Sequence, residues 1–147
     1  MQNIPSPLSA ERYRFNFFLL WWLIGWGLIA SVLFLSLTPS PPEILDFAFS
    51  DKLEHLFAYS VLMGWVGQLY VSTRQQITWA AGLCMMGVAL EFVQGWGGYR
   101  FFDIADMVAN TLGVLLGWWL TRVVFAGTLL RVDRGLSQLL CRKDRAE

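Results

Sequence analysis

Charge is scarce in this chain of 147 residues: 15% of it is charged, against about 25% in a typical soluble domain. With 56% hydrophobic residues, 16% aromatic residues and a mean hydropathy of +0.48, that scarcity excludes an ordinary soluble protein. The few charges cancel, eleven basic against eleven acidic, so net charge selects no partner, and a nucleic-acid partner is not expected. Cysteine is down to Cys84, inside an apolar run, and Cys141, in a basic tail. Neither a disulfide framework nor a zinc site fits that pair. No Gly-x-Ser-x-Gly, His-Glu-x-x-His or phosphate-loop pattern occurs, which removes the readings that rest on them. Repeats and low-complexity tracts are missing too. Histidine occurs once, as His55.

Long apolar runs are what the chain has in quantity. Residues 1–14 form a polar, proline-containing segment, and residues 15–37 then run without a charge. That run outlasts the ~7–15-residue core of a cleavable signal peptide, so it reads as an uncleaved anchor helix. Thr38-Pro39-Ser40-Pro41-Pro42 ends it, because proline lacks the N–H donor and restricts the residue before it. Further helices are expected over 51–71, 77–94 and 103–125, separated by a polar turn at 72–76 and a glycine-rich loop at 95–100. At about 1.5 Å per residue the second of these crosses a bilayer only with its polar first turn at the interface. Beyond it, Leu129, Leu130, Val132, Leu136, Leu139 and Leu140 lie among basic residues, the pattern of an amphipathic helix on a membrane surface.

The expected fold is therefore all-α: a polytopic four-helix transmembrane bundle over 15–125, with a cytoplasmic amphipathic C-terminal helix over 126–147. Nine of the eleven lysines and arginines fall on the side shared by both termini and the 72–76 turn; only Lys52 and Arg100 fall on the other. Positive residues mark the cytoplasm, which places both termini there.

In that topology the embedded polar groups gather near the opposite, extracytoplasmic surface. Lys52, His55 and Tyr59 follow i, i+3, i+7 on the second helix. Glu91 and Gln94 stand three apart at the end of the third, and Asp103, Asp106 and Asn110 repeat the i, i+3, i+7 stripe at the start of the fourth. Three stripes at one depth should face inward and meet, since charge is expensive against lipid. Ala109, Gly113 and Gly117 add a small-residue ladder that lets a neighbour approach, which points to the fourth helix as the centre of the bundle.

Several of these residues also have plain structural readings. Asp51 and Asp103 suit helix capping at the edge of the site better than they suit chemistry. Gln94 and Asn110 suit hydrogen bonds between helices as well as a binding role, and Tyr59 suits packing. Glu54 falls off the Lys52–His55 stripe. Glu91 sits a turn inside its helix and caps nothing; buried, it needs a partner, with Lys52, His55 and Arg100 as candidates.

The motifs Asp-Lys-x-x-His-x-x-x-Tyr at 51–59, Glu-x-x-Gln at 91–94 and Arg-x-x-Asp-x-x-Asp-x-x-x-Asn-x-x-Gly at 100–113 resemble the VanZ-like family of small bacterial membrane proteins. The resemblance covers residues 51–119; the first helix and the basic tail add little to it. It implies a protein of the bacterial inner membrane and cell envelope. The family takes its name from a member linked to resistance to the lipid-tailed glycopeptide teicoplanin. It leaves the cofactor unknown and brings no established catalytic residues.

Four functions remain open. The leading one is a binding site for an anionic lipid or lipid-linked saccharide, with Lys52 and Arg100 on its charge and Tyr59, Gln94 and Asn110 as further ligand contacts. The second is an enzyme on the same molecules, with His55 as acid or base and Glu91 or Asp106 orienting it. A divalent metal on Asp51, His55, Glu91 and Asp106 is a variant of that reading, but no spacing matches a known metal motif, so no metal ligand is assigned. Transport suffers because the polar residues stop halfway across. A purely structural or partner-binding role is the fourth.

Overall fold

A backbone in hydrocarbon must satisfy its own hydrogen bonds, and for uncharged runs of this length the helix is the local way to do so. The computed structural model describes residues 15–38, 50–97 and 102–144, and among them every regular element is a helix. These are α1 (Phe18–Leu37), α2 (Ser50–Leu69), α3 (Thr73–Gly97), α4 (Ile104–Val123) and α5 (Thr128–Asp144). The proline-containing segment 39–49 and Arg100 lie outside the described residues. α1 stops where Thr38 turns extended, at φ −77° and ψ 127°, as expected for the residue before a proline. Trp21 is its one fully buried side chain; Phe18, Leu28, Ile29 and Val32 pack half-buried against the core, and most of the remaining side chains are exposed.

α1, α3 and α4 are each long and apolar enough to cross a membrane. α2 is equally long but is not among them, because it opens with Asp51, Lys52, Glu54 and His55. Its surroundings compensate: α2, not α4, lies at the centre, packed chiefly on α4 and touching α1, α3 and α5 as well. The small-residue ladder is the groove that receives it. A methyl group added at Gly113 would strike the Leu56 carbonyl, and one at Gly117 the Ser60 carbonyl. Such close approach is what holds helices together where lipid offers no hydrophobic drive.

α3 begins four residues earlier than expected, at Thr73, so most of the polar turn belongs to its first turn. The reason is Gln76, which is buried. Its Nε2 donates to the Tyr70 carbonyl at 2.6 Å, while its Oε1 accepts from Trp118 Nε1 at 2.8 Å and Arg122 at 3.3 Å. One side chain thus caps the end of α2 and ties it to α3 and α4.

α5 is held by Asp133, which is fully buried. Its carboxylate accepts from the backbone N–H of Asn16 (2.7 Å) and Phe17 (2.9 Å), from Asn16 Nδ2 (2.8 Å) and from Trp21 Nε1 (2.7 Å). Two of these donors are backbone N–H groups at the opening of α1, where the helix supplies no acceptor, and two are side-chain N–H groups of Asn16 and Trp21. Burial pushes the Asp133 carboxyl up, but the four N–H donors outweigh it and hold it below the usual carboxylate range. A depressed pKa contributes stability above the ordinary value near 4 that is lost as pH falls through the folded one. The tail should therefore stay docked at neutral pH and release only below about pH 4. Asp133→Ala should release it at pH 7, at a cost of roughly 3 kcal/mol, since several buried donors lose their acceptor. Trp21 fluorescence and protease cleavage in α5 would register both effects; an Asp133→Ala tail as resistant as the wild type would refute the latch.

Candidate functional site

The opening of α2, the end of α3 and the opening of α4 meet at one end of the bundle, and the three polar stripes meet there. Each helix supplies its residues from a face turned to the other two. Lys52 Nζ lies 2.8 Å from Asp51 Oδ2, 2.6 Å from Asp103 Oδ2 and 2.6 Å from Asp106 Oδ1. Three donors meet three carboxylates, so the ammonium is already neutralised by the protein. Asp103 has a second duty as the N-cap of α4, its Oδ1 accepting from Ala105 N at 2.8 Å. The Lys52 ammonium, and after it the Ala105 N–H, hold the Asp103 carboxyl below the usual range.

Asp106 is the hub. While its Oδ1 faces Lys52, its Oδ2 lies 3.7 Å from His55 Nε2. On the other side of the ring, His55 Nδ1 stands 3.1 Å from Asn110 Oδ1. An amide oxygen only accepts, so Nδ1 carries the proton and Nε2 is the atom presented to the carboxylates. Glu91, 1% exposed, completes the group: its Oε2 accepts from the Asp103 N–H at 3.2 Å. One atom each from His55, Glu91 and Asp106 can be chosen so that all three lie within 4.8 Å of one another.

Tyr59, 1% exposed, and the Asn110 amide both face Gly87 on α3. Gly87 makes room for both: a Cβ there would stand 2.9 Å from Asn110 Nδ2 and 3.2 Å from the Tyr59 hydroxyl. Gln94 is buried but elsewhere engaged, donating to the Ser36 carbonyl at the end of α1 at 2.7 Å. Of the four residues named for a metal, His55, Glu91 and Asp106 come together, while Asp51 belongs to the Lys52 group.

A profile of the VanZ/LLP1 family matches residues 13–125, which includes every residue of this site. This chain belongs to the VanZ/LLP1 family. Among curated proteins, an uncharacterized protein of the fission yeast Schizosaccharomyces pombe is 36% identical over 75 residues. The match covers 49% of this chain and 46% of the yeast protein, so this VanZ/LLP1 chain aligns with about half the length of that relative. No solved structure matches. The VanZ/LLP1 match ends at residue 125, ahead of α5 and its Asp133 latch.

Three contributors escape a reading of periodicity. Gly87 is visible only through the side chains that need its space. Gln76 looked like part of a polar turn. Asp133 had one available signal, an acid set among the apolar and basic residues of the tail.

Proposed function

We propose that this VanZ/LLP1 protein is an integral membrane enzyme that binds the polar head of an anionic lipid or lipid-linked saccharide and does chemistry on it at the His55–Glu91–Asp106 group. The observation that carries this reading is the burial of two carboxylates against the presented nitrogen of an oriented imidazole. Titratable groups buried against one another in this way are commoner at reaction centres than elsewhere. Charge balance favours chemistry over simple capture: Lys52, the described cation best placed to grip a phosphate, is spent on three carboxylates. The simplest reaction for such a set is hydrolysis. Water bonds to the phosphorus or carbonyl carbon of the head, its proton passes to the buried group, and the leaving oxygen departs with a proton returned from it.

In this reading α1 to α4 all cross the bacterial inner membrane, both termini and α5 lie in the cytoplasm, and the site opens toward the envelope. The distribution of basic residues supports that orientation. Arg100 falls in sequence between α3 and α4 and is, in this reading, the second cation assigned to the anionic head. The family's link to teicoplanin, a lipid-tailed molecule, fits a site that handles lipid-bearing envelope compounds. A relative in a fission yeast, which builds no peptidoglycan, favours a head common to both kinds of cell, such as a phosphate-bearing polyprenyl saccharide, over one peculiar to the bacterial wall.

The test is turnover in nanodiscs, with anionic phospholipids and polyprenyl-phosphate saccharides as substrates and the released head followed by mass spectrometry. His55→Ala should lower the rate by roughly a hundredfold or more while retaining lipid binding. No turnover of any of these lipids by the wild-type protein would return the site to recognition alone.

A further inference from the structure

We propose that His55 Nε2, with one carboxylate oxygen each from Glu91 and Asp106, forms a binding site for a divalent cation of the Mn²⁺ or Zn²⁺ class. Each of the three residues offers a donor atom within 4.8 Å of the other two, and Nε2 is the ring nitrogen that faces Asp106 Oδ2, 3.7 Å away. That is the spacing of ligands around one ion with bonds of about 2.0–2.4 Å. The imidazole is set as metal ligands usually are: its Nδ1 proton goes to Asn110 Oδ1, and the Nε2 lone pair is turned toward the carboxylates. Lys52 engages Asp106 through Oδ1 only, which leaves Oδ2 on the His55 side. The neighbouring group of Asp51, Asp103 and Asp106 has similar spacing but already holds the Lys52 ammonium at its centre.

A second observation points to the same place. The Tyr59 hydroxyl is buried without a hydrogen-bond partner among the described residues. Like the Asn110 amide, it faces the space left by Gly87, one helical turn along α3 from Glu91. A buried hydroxyl is rarely left orphaned, and a water or anionic head on the cation would satisfy it. One nitrogen and two carboxylate oxygens make a mixed donor set, softer than the all-oxygen sites of calcium and magnesium. Three protein ligands leave coordination positions open, as in reactive rather than structural sites. The cation would supply the positive charge that an anionic head needs and that Lys52 cannot. In that respect the inference deepens the proposed function, and with the ion bound His55 is a ligand while the metal-bound water is the acidic group.

The experiment needs no lipid substrate, so it stands or falls apart from the turnover assay. Full-length protein with a histidine-free affinity tag would be stripped with EDTA and titrated with Mn²⁺ in detergent, with electron paramagnetic resonance following free and bound ion. One Mn²⁺ per chain is expected. Because His55 is the only histidine, imidazole nitrogen modulation in the pulsed spectrum assigns the ligand without any mutation. Glu91→Gln and Asp106→Asn should each weaken binding at least tenfold, and Glu54→Gln should change it less than twofold. Absence of Mn²⁺ binding, bound Mn²⁺ without nitrogen modulation, or binding lost in Asp51→Asn but kept in Glu91→Gln would each overturn the site.

Discussion

Lys52→Met should destabilise the protein by about 3 kcal/mol or more, and most of that loss should come from one of its three partners. Asp51 and Asp103 have side chains 46% and 42% exposed, so water can take over when the ammonium goes. Exposed pairs of that kind contribute little, because water screens them. The Asp106 side chain is 7% exposed, and removing Lys52 leaves its carboxylate buried beside Glu91 with no cation described against it except the imidazole of His55. Adding Asp106→Asn to Lys52→Met should therefore recover most of the lost stability, whereas adding Asp51→Asn should recover little. Thermal unfolding in detergent measures all three. Equal rescue by the two asparagine substitutions would show that the layer acts as a diffuse cloud of charge rather than around one hub.

Gly117→Ala should be nearly as harmful, although it adds a single methyl group. That methyl would be driven into the Ser60 carbonyl and crowd the Gly64 N–H, and backbone cannot turn aside as a long side chain can. Overpacking of this kind costs roughly 1–3 kcal/mol, occasionally more, and Gly113→Ala should add to it through the Leu56 carbonyl. The double variant should fail to accumulate. Gly82→Ala provides the contrast: nothing lies within 4 Å of its added Cβ, and alanine is favoured over glycine inside a helix by about 1 kcal/mol. Gly82→Ala should match or exceed wild-type stability. If Gly82→Ala and Gly117→Ala behaved alike, helix propensity rather than close packing would control these positions.

The order of the helices and the convergence of the stripes were legible because periodicity reports which face of a helix is polar. The placement of Lys52, His55, Asp106 and Asn110 in mutual contact follows from that alone once α2 and α4 are neighbours. Periodicity does not report partners. It could not say that Lys52 would be shared among three carboxylates, nor that Gln94 would turn aside to the end of α1. The centre of the bundle was misplaced for a related reason: a ladder of glycines marks a groove, and the groove belongs to α4 while the helix lying in it is α2. Asp133 was beyond reach because its partners Asn16, Phe17 and Trp21 stand more than a hundred residues earlier. Nothing local in the tail encodes them.

The central position of α2 bears on how the protein is made. The helix around which the others assemble is the one whose composition gives an insertion machinery least reason to release it into lipid. Its lysine finds two of its three carboxylates only at Asp103 and Asp106, some fifty residues later in synthesis, and the glycines that admit its backbone come later still. With α2 crossing the bilayer as proposed, it should linger at the translocation channel or the membrane surface until α4 emerges. The two would then enter together, so that the burial of the charges and the closing of the bundle are one event.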